Sequence, residues 1–182
     1  MLFRYTLRES AELRLFEEQD AQEMYELLDR NRAHLREWLP FVDNNRTSFD
    51  SLTFIKMARR QVSDNQGGQF AILWEGKIAG VVGFHGIDWG NRMTSIGYWL
   101  GQEYTGLGLM TLATDALCKL AFEVYNLNRV EIKVATENYK SQAVAERLGF
   151  TREGVLRQRE WLYDHWVDHI VYSKLASEWK KS

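Results

Sequence analysis

The chain has 182 residues, a length typical of one domain, and we expect a single domain over residues 1–182. Hydrophobic residues make up 45% of it, so it can build a sizeable core and is not a disordered chain. Its 23 basic and 25 acidic residues give a net charge of −2, which argues against a protein that coats nucleic acid. The one cysteine excludes an intramolecular disulfide and a cysteine-rich zinc site.

Both ends of the chain predict a protein that does not enter a membrane. The first residues lack the apolar stretch of a secretory signal because Arg4, Arg8 and Glu9 interrupt them. No segment reaches the ~18 apolar residues of a membrane span. The lysine pair at residues 180–181 is too short a basic tail to act as an electrostatic anchor. We therefore predict a cytoplasmic protein.

Hydrophobic periodicity divides the N-terminal third into one strand and three helical segments. Alternation predicts the strand over residues 12–18. Asp20 and Glu23 resemble a capping box and open the first helix. The inward face of that helix is predicted to carry Ala21, Met24, Leu27 and Leu28. Two further helical segments follow, one ended by Pro40 and one that begins near Ser48 or Asp50.

The rest of the chain alternates strands with two helices around a glycine-rich loop. The predicted elements are, in order, a hairpin over residues 69–87, a strand over 93–100, a loop over 102–109, a helix whose apolar stripe ends at Val124, a strand over 129–135, a helix over 141–148 that Gly149 ends, and a strand pair over 154–163 and 167–175. This mixture predicts an α+β or α/β sheet domain.

Gly106 and Gly108 stand between a predicted strand and a predicted long helix. Such a joint gathers backbone N–H groups at a helix N-terminus, where the helix dipole helps them to bind an anion, most often a phosphate. Thr111 occupies the place of the third glycine of a dinucleotide-binding loop, and no Gly-Lys-Ser/Thr sequence of a Walker loop follows. The loop by itself leaves two interpretations open, a phosphate site and a tight turn.

Two longer segments carry a family resemblance. They are IGYWLGQEYTGLGLMTLA at residues 96–113 and LNRVEIKVATENYKSQAVAERLGFTREGVLR at residues 127–157. With their spacing, they resemble the GNAT family of acetyl-CoA-dependent N-acetyltransferases, most of all its RimJ/RimL type, which acetylates the N-terminal amines of ribosomal proteins. The resemblance implies a mixed α/β (α+β) fold with a central, mostly antiparallel sheet, a splayed parallel strand pair and flanking helices. It also implies acetyl-CoA as cosubstrate and no metal.

The resemblance also assigns the cofactor-binding residues. Backbone amides of the loop would hold the pyrophosphate, and they belong to Thr105, Gly106, Leu107, Gly108, Leu109 and Met110. An N–H near Trp99 or Leu100 would polarise the thioester carbonyl. Asn138 would hold the cofactor arm, and Ser141 would lie near its sulfur. Thr105 departs from the Arg or Gln of the family loop and Met110 from its small residue, but neither change removes a backbone donor.

Three side chains are candidates for the proton transfers. The departing thiolate needs a proton or a hydrogen bond, and the Ser141 hydroxyl suits this role; the alternative is that Ser141 caps the helix that begins there. Glu160 resembles the family's strand glutamate near the acceptor amine and would be the base, directly or through water; the alternative is a surface pair with Arg157 or Arg159. His85 is the rival base because its ordinary pKa suits proton transfer at neutral pH, and the alternative is a hydrogen-bonded strand residue.

Several other residues receive a structural interpretation. Tyr98 and Tyr139 are further cleft candidates, although aromatic residues in such strands more often pack. His165 and His169 stand four residues apart, but on a strand this spacing does not make a metal site. Cys118 is interpreted as a packed residue, which leaves direct attack of the amine on the thioester as the expected route.

The sequence thus predicts an enzyme that transfers the acetyl group of acetyl-CoA to a primary amine, first of all the N-terminal α-amine of a ribosomal protein. The alternatives are a small-molecule amine or antibiotic N-acetyltransferase and a non-catalytic acetyl-CoA-binding module. We expect no direct nucleic-acid or membrane partner, and a homodimer stays open. Most of the seven tryptophans are expected in the core, while Trp38, Trp161 and Trp166 are candidates for an acceptor groove or a dimer seam.

Overall fold

The computed structural model describes residues 4–179, so the lysine pair at 180–181 lies outside the described residues. Its strands are β1 (Arg4–Arg8), β2 (Ala11–Leu15), β3 (Gln69–Trp74), β4 (Lys77–Asp88), β5 (Met93–Leu100), β6 (Arg129–Ala135), β7 (Thr151–Leu162) and β8 (His165–Leu175). Its helices are α1 (Ala21–Arg30), α2 (Arg32–Arg36), α3 (Ser48–Ser63), α4 (Leu109–Lys119), α5 (Tyr139–Arg147) and α6 (Ala176–Trp179). Over this part of the chain, no helix combines the length and the apolar character needed to cross a bilayer.

The strands form one sheet in the order β1-β2-β3-β4-β5-β6-β8-β7. All neighbouring strands are antiparallel except β5 and β6, which run parallel. A parallel pair needs a crossover connection, and the glycine-rich loop with α4 supplies it. The predicted mixed α/β fold, with a mostly antiparallel sheet, one parallel pair and flanking helices, is confirmed. The bounds of β5 and β6 agree with the predicted strands.

The parallel pair separates halfway along its length. β5 and β6 are paired from Met93 and Arg129 to Ile96 and Ile132. Beyond that point β5 continues for four residues and β6 for three, with no further pairing between the two strands. The expected splay is therefore confirmed, and it turns the backbone of both strands toward a cavity.

Apolar side chains fill both faces of the sheet, because successive strand residues point to opposite sides. One core lies between the sheet and α4 and α5, and it includes Leu117 and Ile132. The other lies under α1 and α3, and it includes Ile55 and Trp99. The predicted inward face of α1 is confirmed, since its buried residues are Ala21, Met24, Leu27 and Leu28.

The N-terminal elements correct two predictions. The sequence pattern does not predict β1, an edge strand with mostly exposed residues. Asp20 does not cap α1 with its side chain. Its carboxylate accepts hydrogen bonds from the backbone N–H of Glu17 and from Arg14, at 2.6–2.8 Å, and so closes the preceding 3₁₀ turn. Glu23 reaches the N–H of Ile78 at 2.7 Å and ties α1 to the sheet, so the two residues form no capping box.

The apolar stripe of the long helix ends earlier than predicted. The helix passes into a π-helical turn over Leu120–Val124, and Val124 is exposed. The prediction that most tryptophans are core residues is also wrong, since within residues 4–179 Trp99 is the one tryptophan that is buried. Trp89 and Trp179 show the reason: each donates its indole N–H to a surface acceptor while its ring packs against other aromatic rings.

Candidate active site

The gap between β5 and β6 opens into a cavity of about 810 Å³. One wall is apolar and comes from α3 and from the segment after α2 that includes Trp38 and Leu39. The predicted site residues that line the cavity together are His85, Trp99, Asn138, Ser141 and Glu160. Leu100 and loop residues 105–110 are not among its lining residues. The structure therefore brings the candidates for proton transfer together and leaves the loop outside, at the far end of β5.

Backbone alternation on β5 decides which N–H groups face the gap. The N–H of Gly101 donates to the carbonyl of Ala79 at 2.9 Å. In an antiparallel ladder hydrogen-bonded pairs alternate, so the next such pair is Trp99 with Val81. The N–H of Trp99 is therefore used by β4, whereas the N–H of Leu100 points toward the gap.

The glycine-rich loop presents a row of backbone donors. Gly106 and Gly108 have φ angles of +79° and +73°, a left-handed conformation that favours glycine. Among the described residues, no backbone acceptor is paired with the N–H groups of residues 106–110, the last of which open α4. Met110 is buried in the core, so its bulk points away from these donors. The loop has the geometry of an anion site at a helix N-terminus.

The side chains around the loop come from distant parts of the chain. The prediction that the amide of Thr105 contributes to the pyrophosphate site is wrong, because this N–H donates to the carbonyl of Gln102 at 3.1 Å. The Thr105 hydroxyl donates to the same carbonyl at 2.7 Å, so it does not replace the long side chain of the family loop. Arg8 donates to the carbonyl of Leu107 at 2.9 Å, and Arg147 donates to the hydroxyl of Thr111 at 3.3 Å. Sequence reasoning missed both arginines, because no local pattern connects them with the loop.

Asn138, not Ser141, caps α5. The side-chain oxygen of Asn138 accepts a hydrogen bond from the N–H of Ser141 at 3.1 Å, while α5 begins at Tyr139. The alternative that Ser141 caps the helix is therefore wrong, because Ser141 is already its third residue. Gly149 follows the helix at φ +69°, as predicted for its C-terminal end.

The Ser141 hydroxyl is bound to a phenol that the sequence interpretation treated as packing. Ser141 Oγ donates to the hydroxyl of Tyr98, which in turn donates to the carbonyl of Ser141, both at 3.1 Å. Burial raises the pKa of Tyr98 to about 12, so the phenol keeps its proton at physiological pH. The pair places two hydroxyl groups on the cavity wall where β5 and β6 diverge.

His85 lies on β4 with its ring over the neighbouring strand. Its Nδ1 lies 3.0 Å from the hydroxyl of Ser95, and a side chain at Gly97 would meet its Nε2. Desolvation and the charge of Lys133 lower the pKa of His85, and the charge of Glu160 opposes them. A lowered pKa keeps the imidazole neutral at pH 7, so it is able to accept a proton.

Glu160 is paired with a histidine that was considered only as a metal ligand. Its Oε2 lies 3.4 Å from Nε2 of His169 on β8, which also lines the cavity. The structure does not show the alternative pair with Arg157 or Arg159. The signal for this contact lies in the hairpin: Glu160 is opposite Val167, and His169 is the diagonal neighbour on the same face.

The remaining candidates, with the exception of Trp38, stay outside the site. His165 pairs with the neighbouring Asp164 at the hairpin turn, and no group of three metal-ligating side chains occurs within residues 4–179. Cys118 is buried as predicted, and burial raises the pKa of its thiol to about 12. The Tyr139 hydroxyl donates to Glu137 on the surface. Trp38 lines the cavity, while Trp161 and Trp166 form an exposed edge-to-face pair on the β7–β8 hairpin.

Comparison with known proteins matches this geometry to a described family. The family model for an acetyltransferase (GNAT) domain matches residues 11–151. A protein of Bacillus subtilis with the provisional name ribosomal N-acetyltransferase YdaF is 38% identical over 98% of each chain. The ribosomal-protein-serine acetyltransferase of Escherichia coli is 31% identical over 92% of this chain and 93% of its own. The structure of RimL, a ribosomal L7/L12 alpha-N-protein acetyltransferase in complex with coenzyme A, superposes with a TM-score of 0.92 at 25% identity, over 97% of this chain and 99% of its own.

Proposed function

Because the chain belongs to the GNAT acetyltransferase family and is an acetyl-CoA-dependent N-acetyltransferase, we propose that its acceptor is the N-terminal α-amine of a protein, first of all a ribosomal protein. The names of the relatives described above support this acceptor. Since a ribosomal protein is found in the cytoplasm, this acceptor agrees with the cytoplasmic location that the sequence predicts. The observation that carries the proposal is the charge and shape of the cavity wall.

The cavity has no excess of negative charge. Its lining contains the acidic residues Asp50 and Glu160 and the basic residues Lys133 and Arg159. A polyamine or an aminoglycoside carries several positive charges and needs a site with an acidic surplus. An α-amine brings one charge and loses it before it reacts. The balanced lining therefore favours a chain terminus over a polycationic small molecule.

The cavity is also bridged on its outer side. The hydroxyl of Tyr163, at the tip of the β7–β8 hairpin, donates to the carbonyl of Leu39 at 2.6 Å. The guanidinium of Arg36 lies 3.8 Å from the centre of the Tyr163 ring and binds Asp43 at 3.0 Å. This contact ties the hairpin to the apolar wall. A slender, flexible chain end fits such a bridged opening, and the aromatic and aliphatic wall suits its first side chains.

The acid–base demand of an α-amine matches the groups in the cavity. Its pKa of ~7.7–8.0 lies about 2.5 units below that of a lysine side chain, so roughly 300-fold more of it is neutral at pH 7. A carboxylate is then a sufficient base for the one proton that the attacking amine must lose. We assign this proton to Glu160, directly or through water, with His85 as the rival acceptor.

The remaining groups serve the carbonyl and the leaving group. The N–H of Leu100, which points into the gap, is the oxyanion donor. The loop amides of residues 106–110 hold the pyrophosphate, and Asn138 holds the cofactor arm. As the thiolate departs, the hydroxyl of Ser141 turns from Tyr98 and donates its hydrogen bond to the sulfur. A thiol has a pKa of ~8.5, far below that of an alkyl hydroxyl, so Ser141 keeps its own proton and solvent supplies the one that the thiolate gains.

A panel of acceptors tests the proposal. Release of free thiol from acetyl-CoA is measured with ribosomal-protein N-terminal peptides, with the same peptides acetylated at the N-terminus but carrying an internal lysine, and with spermidine and an aminoglycoside. We expect release with the free peptides and none above background with the blocked ones. Faster release with spermidine or the aminoglycoside would overturn the acceptor assignment and establish a small-molecule enzyme.

Two variants test the residue roles. Glu160→Gln is expected to lower kcat by roughly a hundredfold or more between pH 6 and 9, because general-base catalysis contributes about 10²–10⁴. Ser141→Ala is expected to lower kcat while the KM for acetyl-CoA stays near its original value. Full activity of Glu160→Gln over this pH range would remove Glu160 from the mechanism and leave His85 as the base.

A further inference from the structure

A bulge in β7 shapes the surroundings of Glu160. The register between β7 and β8 shifts between Leu156 and Glu160, and Gln158 has a φ of +49°. The N–H of Gln158 donates to the side chain of Asp168 at 2.7 Å, which fixes the bulge to the partner strand. Bulges re-aim side chains beside active sites. Here the residues that follow the bulge resume their pairing with Glu160 opposite Val167, on the wall of the cavity.

His169 is held more firmly than the carboxylate that it contacts. It lies on β8 between two strands, opposite Ala135 of β6 and Leu156 of β7. The side chain of His169 is 13% exposed, whereas that of Glu160 is 33% exposed. A glutamate has three side-chain torsions, and without a partner it can rotate toward solvent. The less exposed imidazole is therefore in a position to fix the direction of the carboxylate.

Within residues 4–179, His169 is the one polar partner of the Glu160 carboxylate. Nε2 of His169 lies 3.4 Å from Oε2 of Glu160, and among residues 4–179 no other ion pair or hydrogen bond to this carboxylate is present. Lys133, a cation on the cavity wall, is engaged with Glu131 at 2.8 Å. His85 faces the site from β4 and is bound to Ser95 through its Nδ1.

We propose that His169 is a positioning residue for Glu160: its Nε2–H holds the carboxylate toward the cavity, in place to receive the proton of the acceptor amine. This inference rests on the proposed role of Glu160 as the base. It assigns no bond-making step to His169. The imidazole matters because misplacement of a catalytic group by about 1 Å can cost roughly a hundredfold in rate.

The test is a double-mutant cycle on kcat. His169→Phe removes the donor and keeps a ring in the site, while His169→Gln keeps an N–H donor. Each is made in the original chain and in Glu160→Gln, and thiol release is measured with the best acceptor of the panel. We expect His169→Phe to lower kcat by roughly tenfold or more with an unchanged KM for acetyl-CoA. We expect His169→Gln to recover most of the loss, and neither change to have an effect in the Glu160→Gln background.

Several outcomes would overturn the proposal. They are full activity of His169→Phe, no recovery by His169→Gln, or the same loss from His169→Phe in the presence and absence of Glu160. If Glu160→Gln itself is fully active, the base assignment fails, while thiol release by the unaltered protein still stands as evidence for the transferase. Circular dichroism checks folding. If His169→Phe does not fold, the smaller His169→Ala takes its place in the cycle.

Discussion

Gly97 gives a sharp test of how the histidine in the cavity is positioned. A Cβ atom at Gly97 would lie 2.3 Å from Nε2 and 2.6 Å from Cε1 of His85, where ordinary contacts begin at 3.4 Å. In Gly97→Ala the ring must retreat by about 1 Å, which breaks its 3.0 Å contact with the hydroxyl of Ser95. The clashing atoms are the far end of a side chain that is able to move, so we take the lower end of the cost of overpacking, about 1 kcal/mol. For a chain of this size, that cost lowers Tm by roughly 2–4 °C.

The assay is urea or thermal denaturation of Gly97→Ala, His85→Ala and the double variant, without acetyl-CoA. His85→Ala removes the ring, so the added methyl group finds space. We therefore expect Gly97→Ala to cost little in that background, and the two changes to couple by about 1 kcal/mol or more. Gly154→Ala is the matched control, because a Cβ there meets nothing within 4 Å and its φ is not left-handed.

Two results would refute the steric reasoning. One is a Gly97→Ala protein as stable as the original chain, which would mean that the ring moves away at no cost. The other is an equal loss of stability with and without the His85 ring, which would place the clash elsewhere on β5.

Three further predictions concern the phenol, the loop and a surface carboxylate. Tyr98→Phe should lower kcat because it removes the partner of Ser141, and since the pKa of Tyr98 is about 12, the original enzyme should show no loss from its ionisation up to pH 10. Gly106→Ala adds about 1–2 kcal/mol of backbone strain and should raise the KM for acetyl-CoA by up to roughly tenfold, whereas Gly76→Ala, at a similar φ of +77° in a distant turn, should not. Hydrogen bonding to Arg129 holds the pKa of Glu153 at about 2. The ionised carboxylate therefore stabilises the fold above the ordinary pKa of 4.5, and this stabilisation is lost as the pH falls toward 2. The urea midpoints of the original chain and Glu153→Gln should differ at pH 7 and converge near pH 2. Equal midpoints at pH 7 would contradict this account.

Local sequence patterns predicted those elements that have a clear hydrophobic period or are bounded by turn residues and glycines. The ends of β5 and β6 agree with the sequence because alternation stops at turn residues and at the glycine-rich loop. The inward face of α1 follows from its 3.6-residue period. The capping roles were harder to predict, because the side chains of Asp20 and Asn138 each have several possible hydrogen-bond partners within reach. Only the folded backbone decides that Asp20 closes a 3₁₀ turn and that Asn138, rather than Ser141, caps α5.

The site depends on contacts that no local pattern describes. Glu160 and His169 meet because a bulge shifts the register of β7 against β8, and two extra residues between Leu156 and Glu160 are not visible in the alternation of the strand. Tyr98 and Ser141 meet because β5 and β6 diverge at a point that the sequence of each strand does not mark. The family motif therefore indicated residues that line the cavity, while their partners could not be predicted from the sequence.

The net charge of the chain does not reveal the positive groups that the fold gathers near the glycine-rich loop. A net charge of −2 gives no hint of an anion site, yet Arg8 contacts the loop at Leu107 and Arg147 contacts Thr111 in the first turn of α4. The two arginines are 99 and 36 residues away in sequence from these partners. The guanidinium of Arg8 lies 4.7 Å from the centre of the Trp74 ring and also donates to the carbonyl of Leu107, so two contacts fix its orientation. Backbone N–H groups add positive potential without adding formal charge. The anion site proposed for this loop would need only two well-placed cations, and composition alone does not reveal such a site because the fold, not the local sequence, brings the cations together.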